Sequence, residues 1–369
     1  MLLQKTLDPL AALGLIPCRQ PQRLQCRTAQ LRRLARVLAE LLPDHQSERR
    51  QEQQEAAGVL GLIGTETGIT ALEEGGGLRI RTAVVEVPVW RLPLPECPGA
   101  GPQQLELVLV PASEYGIGSP EEEGGRDVYT QFRQKCEGVD VEARRTVRLE
   151  GFALPRHPLS QAQWRAMVEA AAPEQRGALK AAPSTFRPEG AWERHGQPGG
   201  LPVSSVSWTD CQQWLQVLNS WLEKQWPAWL EHHPALGAEA LRLALPSESQ
   251  WEAACRAGSA SPFHFGATLD PSWARYDASF TYGKGRRGAD EQRPVPIGAF
   301  GLVNRWGLAE LHGQLQEWCA DQWHRSPVPL SQTGRQGWFG GKSSQAVLLA
   351  GSALEGPDPG LAEVPLERE

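Results

Sequence analysis

The stretch Asn304–Asp321, NRWGLAELHGQLQEWCAD, constrains the fold most strongly. Its apolar residues fit neither the helical nor the strand period throughout, because three leucines have helical spacing and the last residues alternate weakly. Gly313 separates these two parts, and glycine lets a chain change direction through positive φ. We predict a short turn or helix, a tight bend at Gly313, and a buried strand carrying Trp318. Such a run is typical of the core of an irregular, turn-rich domain.

Composition supports a loop-rich chain of two domains. The sequence has 369 residues, and its 14 tryptophans against two methionines and four tyrosines are unusual. Its 38 glycines and 30 prolines favour loops over long regular elements. The mild net charge of −6 gives no electrostatic reason to expect nucleic acid. No apolar run reaches the roughly 18 residues that a membrane span needs.

The cysteines indicate a reducing compartment. Seven cysteines are scattered along the chain without a CxxC pair, so a zinc site is not expected. The odd number and the lack of a secretory signal at the N-terminus favour reduced thiols. We therefore predict a cytoplasmic protein.

The first part of the chain is predicted as an accessory region over residues 1–100. Residues 26–45 carry apolar residues with helical spacing, and a second, polar helical stretch begins at Ser47. The pair is interpreted as a small helical appendage on the main domain, with a partner-binding or regulatory role as the alternative. Residues 78–93 alternate like a strand. The proline-rich segment 91–102 is predicted to be a linker.

The second part begins at Leu105 and consists of short elements joined by glycine and proline turns. Strands are predicted from Leu105 and over 145–152, and residues 256–300 are predicted to be irregular. Helices begin at residues that cap a helix N-terminus, and one of them has a capping box, in which the cap and a glutamine three residues later bond each other's backbone. One helix is predicted to be capped by Ser160, and a second by Ser207 or Thr209. A strand is predicted over LRLAL, followed by a third helix with a Ser247–Gln250 capping box.

Five strings in this order resemble the sulfatase-modifying-factor family, which includes the formylglycine-generating enzymes. They are LVLVPASEYGIGSPEEE, TVRLEGFALPRHPLSQAQWRAM, PVSSVSWTDCQQWL, LRLALPSESQWEAACRAGSASPFHFG and NRWGLAELHGQLQEWCADQWH, and they cover roughly residues 105–352. The resemblance implies an α+β fold of the C-type-lectin-like kind with little regular secondary structure. It implies a domain over 105–355, followed by a polar tail over 356–369.

Members of the resembled family use the fold in three ways. Formylglycine-generating enzymes oxidise a cysteine of a sulfatase with O₂ and copper held by two cysteines, and sulfoxide synthases use iron held by histidines. Other members use the fold only for binding. The copper-binding thiols of the family follow a segment that corresponds here to Val347–Gly360, yet no cysteine follows Cys319. Copper(I) prefers two close thiolates, so copper is not supported, and Cys319 is interpreted as structural.

Iron finds little support in the histidines. The N-terminal region contains only His45, and the adjacent pair His232 and His233 cannot share one helix face. The other histidines named here are interpreted as structural, because their surroundings in the sequence are aromatic: His264, His312 and His324.

Structural calcium is the metal that the resemblance favours, because hard cations stabilise loop-rich folds through carboxylates and carbonyls. By motif position, one site would comprise Glu310, Gly313, Leu315 and Glu317, and the second Asp277, Ala278 and Asp290. Glu310 and Gln314 depart from the residues usual at their positions in the family. The alternative is that these carboxylates are exposed or cap turns.

Two functions remain open from the sequence. The first, implied by the resemblance, is an O₂-dependent oxidoreductase acting on a protein cysteine or another thiol. The second is a non-catalytic, lectin-like module that binds a ligand or protein. Either function implies a protein or peptide partner rather than nucleic acid or membrane. The divergent C-terminus indicates a domain closed differently, a short last strand, or a decaying copy.

Overall fold

The computed structural model describes residues 63–74, 79–123, 143–186, 200–232, 242–322, 345–349 and 362–365. No helix in these ranges is both long and apolar enough to cross a bilayer. The strands are β1 Ile63–Glu74, β2 Arg79–Cys97, β3 Gly101–Val110, β4 Ser113–Ile117, β5 Arg145–Leu149, β6 Phe152–Pro155, β7 Glu317–Gln322, β8 Gln345–Leu349 and β9 Ala362–Pro365. The helices are α1 Gln161–Ala170, α2 Pro173–Arg176, α3 Trp208–His232 and α4 Glu248–Arg256.

A four-stranded antiparallel sheet in the order β1-β2-β3-β6 divides the core in two. Successive side chains of a strand point to opposite faces, and here both faces are buried. On β2, Val87 and Val89 belong to a first core cluster, whereas Trp90 and Leu92 belong to a second. The first cluster also receives side chains from β4, β5 and α4, and the second receives them from α1 and α3.

Helices α1 and α3 cover the second cluster. Ser160 caps α1 in a capping box with Gln163, which confirms the predicted start of this helix. The buried rings of Trp164 on α1 and Trp214 on α3 stack with centroids 5.7 Å apart and an interplanar angle of 8°. The indole N–H of Trp214 donates to the carbonyl of Trp164 at 3.1 Å. Aromatic packing and one buried hydrogen bond therefore join the two helices.

Helix α4 packs in the first cluster and begins as the sequence predicts. Ser247 and Gln250 form the capping box, and the helix ends at Ala257 in the left-handed conformation. Trp251, Ala254 and Cys255 of this helix are buried. The helix thereby closes the face of the sheet that α1 and α3 leave uncovered.

The segment from Ala257 to Gln316 contains turns and isolated bridges but no helix or strand, as predicted for 256–300. The bend at Gly313 is confirmed, because its φ is +83°. Arg275 approaches so closely that a Cβ at Gly313 would lie 2.2 Å from the Arg275 carbonyl oxygen. The short helix allowed for the start of Asn304–Asp321 does not form, whereas the strand carrying Trp318 is β7.

The predicted linker over 91–102 is wrong. The segment comprises the end of β2, a three-residue turn and the start of β3. Leu92 and Leu94 within it are at most 7% exposed and lie in the second core cluster. Proline was misleading here, because the strand alternation continues through Pro93 and Pro95 with apolar side chains at the inward positions.

Three other local predictions meet different outcomes. The strand predicted over LRLAL does not form, because residues 242–247 have no ladder partner in the described structure. The helix predicted over 26–45 and the helical stretch predicted from Ser47 lie outside the described residues as far as residue 62, whereas Ile63, the last apolar residue of that stretch, is the first residue of strand β1. Within the predicted polar tail, Ala362–Pro365 forms β9 and pairs with β8, which in turn pairs with β7.

Candidate functional site

Buried amide side chains fix the loops from Ala257 to Gln316. Asn304 is fully buried; its Nδ2 donates to the carbonyl of Ala254 at 2.7 Å, and its Oδ1 accepts the N–H groups of Trp306 and Leu308 at 3.0 and 3.2 Å. A buried backbone group without a partner is costly, so one such amide substitutes for several ladder bonds. The loops are therefore held in a defined arrangement without regular secondary structure.

Gln314 anchors the first predicted calcium set in the same way. Its Oε1 accepts the N–H of Val295 at 3.0 Å, and its Nε2 donates to the Val295 carbonyl and to Glu310 Oε1, both at 3.2 Å. Glu310 Oε2 accepts the N–H of Gly298 at 2.9 Å and lies 3.4 Å from His157 Nδ1. Both oxygens of this carboxylate thus have donors within the chain.

The other members of that set lie around the Gly313 bend. The Gly313 carbonyl accepts the N–H of Leu315 at 2.9 Å. Glu317 Oε2 accepts the indole N–H of Trp251 at 2.8 Å. Burial raises the pKa of Glu317 to about 7, and the negative charge of Glu310 adds to this rise.

The second predicted calcium set lies at the two ends of one loop. The Ala278 carbonyl accepts the N–H of Gly288 at 2.8 Å. Asp277 Oδ1 accepts the N–H of Ser279 at 2.9 Å, and Asp290 accepts two hydrogen bonds from Gln292. Within the described residues, no group of three or more His, Cys, Asp and Glu side chains could hold a metal ion. Both calcium sets therefore stay predictions that depend on backbone carbonyls.

Comparison with known proteins decides the family. The profile of the sulfatase-modifying factor enzyme 1-like domain matches residues 98–360. The chain belongs to this family. It is 25% identical over 267 residues to the formylglycine-generating enzyme of Thermomonospora curvata, a match that covers 66% of this chain and 82% of that enzyme.

One solved structure shares the fold of this chain. PvdO from Pseudomonas aeruginosa matches with a TM-score of 0.50 and 22% identity, covering 72% of this chain and 90% of that one. At this identity the likeness concerns the fold alone. CarF matches less closely, with a TM-score of 0.41 and 15% identity over 71% of this chain and 93% of its own. The predicted α+β, C-type-lectin-like class with little regular secondary structure is confirmed.

Within the described residues, the thiols do not fit the two-cysteine copper site that the family resemblance implies. Of the seven cysteines, four lie in the described residues, and all four are unpaired. Burial raises the pKa of every one of them, and that of Cys211 reaches about 12. Copper(I) is held by thiols that lose their protons on binding, and burial disfavours that loss at each of these four positions. The four are Cys97, Cys211, Cys255 and Cys319.

Two stacked imidazoles lie beside one of these thiols. His312 Nε2 accepts the backbone N–H of His264 at 3.2 Å, and His312 Nδ1 lies 3.6 Å from Cys255 Sγ. The two rings stack with centroids 5.0 Å apart, and Phe265 packs on His264. Burial lowers the pKa of both histidines, and that of His312 falls to about 3. Both rings are therefore neutral at physiological pH.

The sequence interpretation of these histidines as structural agrees with this geometry for His312. The ring nitrogens of His264 differ, because they have no hydrogen-bond partner within the described residues. His324 lies outside those residues. The described chain gathers no cluster of iron-ligating side chains around either ring.

An ion pair that has no local signal in the sequence organises the loop after Leu269. Arg286 donates from Nε and Nη2 to the two carboxylate oxygens of Asp270, at 2.9 and 2.8 Å. Asp270–Pro271–Ser272 is a turn signal, and Asp270 Oδ1 indeed accepts the Ser272 N–H at 3.0 Å. That signal could have placed Asp270 in a turn. Nothing local in the sequence marks Arg286 as its partner.

Proposed function

We propose that this chain is a sulfatase-modifying-factor family member that binds a peptide or protein ligand and does not catalyse copper-dependent oxidation. The observation that carries the proposal is the state of its thiols. Three of the four described cysteines are buried and the fourth, Cys211, is partly buried; burial raises the pKa of all four, and the segment Val347–Gly360 contains no cysteine. The two-cysteine copper site that the family resemblance implies therefore has no thiol at its expected position in the sequence.

The loops from Ala257 to Gln316 support a binding role. Buried amides of Asn304 and Gln314 hold them, so their exposed residues are pre-positioned at little entropic cost on binding. Binding residues are often carried by loops on a rigid scaffold. A family fold with pre-positioned loops and inert thiols suits recognition of a partner better than its oxidation.

The second candidate is an O₂-dependent oxidoreductase acting on a protein cysteine or another thiol. The similarity to the formylglycine-generating enzyme of Thermomonospora curvata favours it. This activity would need a thiolate pair formed by the cysteines outside the described residues. The two candidates thus differ in whether any thiol of the folded chain reacts with a substrate.

An aldehyde assay separates the two candidates. The purified chain is loaded with copper and incubated in air with a sulfatase peptide that contains the target cysteine. An aminooxy probe then detects any aldehyde, with the Thermomonospora curvata enzyme as the positive control. We expect an aldehyde only in the control, and a peptide-display screen of the same preparation should enrich related sequences. An aldehyde formed by this chain would overturn the proposal.

Structural calcium is part of the proposal, through the two sets around Gly313 and Ala278. The chain is freed of metal with EDTA, and its melting temperature is measured after Ca²⁺ or Mg²⁺ is added. We expect Ca²⁺ to raise the melting temperature, because a ligand bound only by the folded state stabilises it. Mg²⁺ should have a smaller effect, because it demands stricter geometry. The same melting temperature with and without Ca²⁺ would exclude both sets.

A further inference from the structure

A closed loop between Ala278 and Gly288, here called the basic loop, presents cations and one aromatic ring to solvent. The Gly288 N–H bonds the Ala278 carbonyl at 2.8 Å and closes it. Phe280 is 57% exposed and is the only large hydrophobic side chain found exposed in the described residues. Lys284 and Arg287 on the same loop are exposed as well.

The Asp270–Arg286 ion pair anchors the middle of the basic loop. Asp270 is buried, its side chain is 2% exposed, and the backbone N–H of Arg286 also donates to it at 3.3 Å. The Arg286 guanidinium holds the pKa of Asp270 well below its usual range, and hydrogen bonds from Ser272 act in the same direction. Because two charge-assisted hydrogen bonds join the carboxylate to the guanidinium, they fix the position of Arg286 and with it this part of the loop.

Close backbone contact presses the basic loop onto the segment before Asp270. The N–H of Lys284 donates to Thr268 Oγ1 at 3.3 Å, and the N–H of Leu269 donates to the Tyr282 carbonyl at 3.4 Å. A Cβ at Gly285 would lie 1.8 Å from the Leu269 carbonyl oxygen, so only glycine fits there. The loop therefore has a defined shape although it contains no regular structure.

The cations of the basic loop are available to a partner. Within the described residues, neither Lys284 nor Arg287 takes part in an ion pair, whereas Arg286 is used by Asp270. The chain as a whole has a net charge of −6, so this loop is a local exception. Carboxylates lie near the basic loop: burial raises the pKa of Tyr282 to about 12 and the charge of Glu123 adds to this rise, while Glu291 pairs with Arg275 at 3.1 Å.

We propose that the basic loop is a docking surface for an acidic peptide segment of a partner protein, with Phe280 packing against an apolar residue of that segment. A nucleic acid is disfavoured, because its continuous phosphate backbone extends past the two cations over a chain whose net charge is −6. A short peptide places its acidic side chains only on Lys284 and Arg287. The proposal rests on the ligand-binding function proposed above and assigns it to one surface.

Fluorescence anisotropy with the full chain tests this surface. The probe is a short labelled peptide that alternates glutamate with phenylalanine, compared with the same peptide carrying glutamine and with single-stranded DNA. Reversing two charges with K284E and R287E should weaken binding of the acidic peptide at least about tenfold, which corresponds to about 1.4 kcal/mol, because two attractive charge pairs become repulsive. Phe280→Ser should weaken it less.

The matched control is the double variant K180E and K224E, which changes the net charge equally at two exposed lysines outside the loop. It should leave the affinity within about twofold, because distant surface charges are screened by salt. Equal weakening by both double variants, or no binding of the acidic peptide to the unmodified chain, would overturn the proposal. Tighter binding of DNA than of the peptide would overturn the assigned partner.

The two proposals fail in different ways. If the acidic peptide does not bind while the peptide-display screen enriches other sequences, the docking surface is wrong and the ligand-binding function stands. If the chain forms an aldehyde, the ligand-binding function is overturned by a result that does not involve the basic loop. Circular dichroism and melting of each variant show whether it remains folded.

Discussion

The helical face of the sheet and the loop segment Ala257–Gln316 both contain buried residues, but different interactions hold them. On the helical face, α1 and α3 pack apolar side chains against β2 and β3 in the second core cluster. In the loop segment, buried polar side chains such as Asn304, Gln314 and Asp270 bond backbone groups or other side chains far away in sequence. The first region is stabilised mainly by the burial of apolar surface, and the second mainly by hydrogen bonds to buried polar groups.

The difference teaches where a loop-rich fold becomes specific. Apolar packing tolerates exchange of side chains that conserve volume, whereas each anchoring amide has donors and acceptors in fixed positions. Conservative substitutions should therefore be mild on the helical face and severe in the loop segment. Substitutions in the two regions test this comparison.

Trp164→Ala should lower the free energy of unfolding by about 3–5 kcal/mol, as is usual when a large buried aromatic is truncated. Trp164 is 2% exposed, stacks on Trp214 and donates its indole N–H to the Lys180 carbonyl at 2.8 Å. Urea denaturation measures the change, and Arg165→Ala on the exposed side of the same helix is the control. A loss below about 1 kcal/mol would show that the helical face is loosely packed.

Asn304→Leu, which nearly conserves volume, should cost about 3 kcal/mol, because it leaves the Trp306 and Leu308 N–H groups and the Ala254 carbonyl without this partner. The control is Gln104→Leu, an amide at an exposed position. Urea denaturation of both variants gives the comparison. If Asn304→Leu were as mild as its control, the loop segment would not depend on its amides.

Gly313→Ala should cost about 2 kcal/mol or more, because alanine is strained at positive φ and its Cβ would meet the Arg275 carbonyl oxygen at 2.2 Å. Gly301 separates these two causes. Its φ is +63°, but nothing lies within 4 Å of a Cβ built there. Gly301→Ala should therefore cost only about 1 kcal/mol. Thermal unfolding of both variants measures the two costs. Equal costs would mean that the approach of Arg275 has no energetic consequence.

His264→Phe should reduce the loss of stability in mild acid. Burial, together with the neighbouring His312, lowers the pKa of His264 well below its usual value. The unfolded chain therefore takes up the proton first, so the stabilisation is complete above about pH 6.5 and is lost as the pH falls below it. Urea midpoints at several pH values give the slope, and parallel slopes for both proteins would contradict the assignment.

Glu248 acts in the opposite direction and supplies the matching control. Burial raises its pKa to about 7, so its contribution is complete below its usual pKa and is lost as the pH rises towards 7. Glu248→Gln should therefore gain stability relative to the unmodified chain as the pH rises from 5 to 8. Together, the two variants separate the contribution of the histidine to the pH dependence of stability from that of the carboxyl group.

The sequence predicts those parts of the fold that have a local signal. The caps at Ser160 and Ser247 lie within three residues of the side chains that complete them, and the turn at Gly313 is marked by the glycine itself. The alternation of β5 likewise places Val147 and Leu149 in the core. In each case the residues that produce the feature lie close together in the sequence.

The missed features lack such a signal. The bond between Asn304 and Ala254 joins residues 50 positions apart, and the pair of Asp270 and Arg286 joins residues 16 positions apart. The linker over 91–102 was predicted from proline content, although the alternating residues around Leu92 belong to a strand buried on both faces. Periodicity cannot show which distant groups satisfy each other, and therefore it could not show how the loops are held.

The central claim is that this family member keeps the scaffold but does not hold copper through its thiols. A competition titration under anaerobic conditions, with a chromophoric chelator as the Cu(I) donor and the Thermomonospora curvata enzyme alongside, tests it most directly. The account predicts that the folded chain leaves the copper on the chelator while that enzyme withdraws it. Stoichiometric transfer of Cu(I) to this chain, abolished when its thiols are alkylated, would contradict the account.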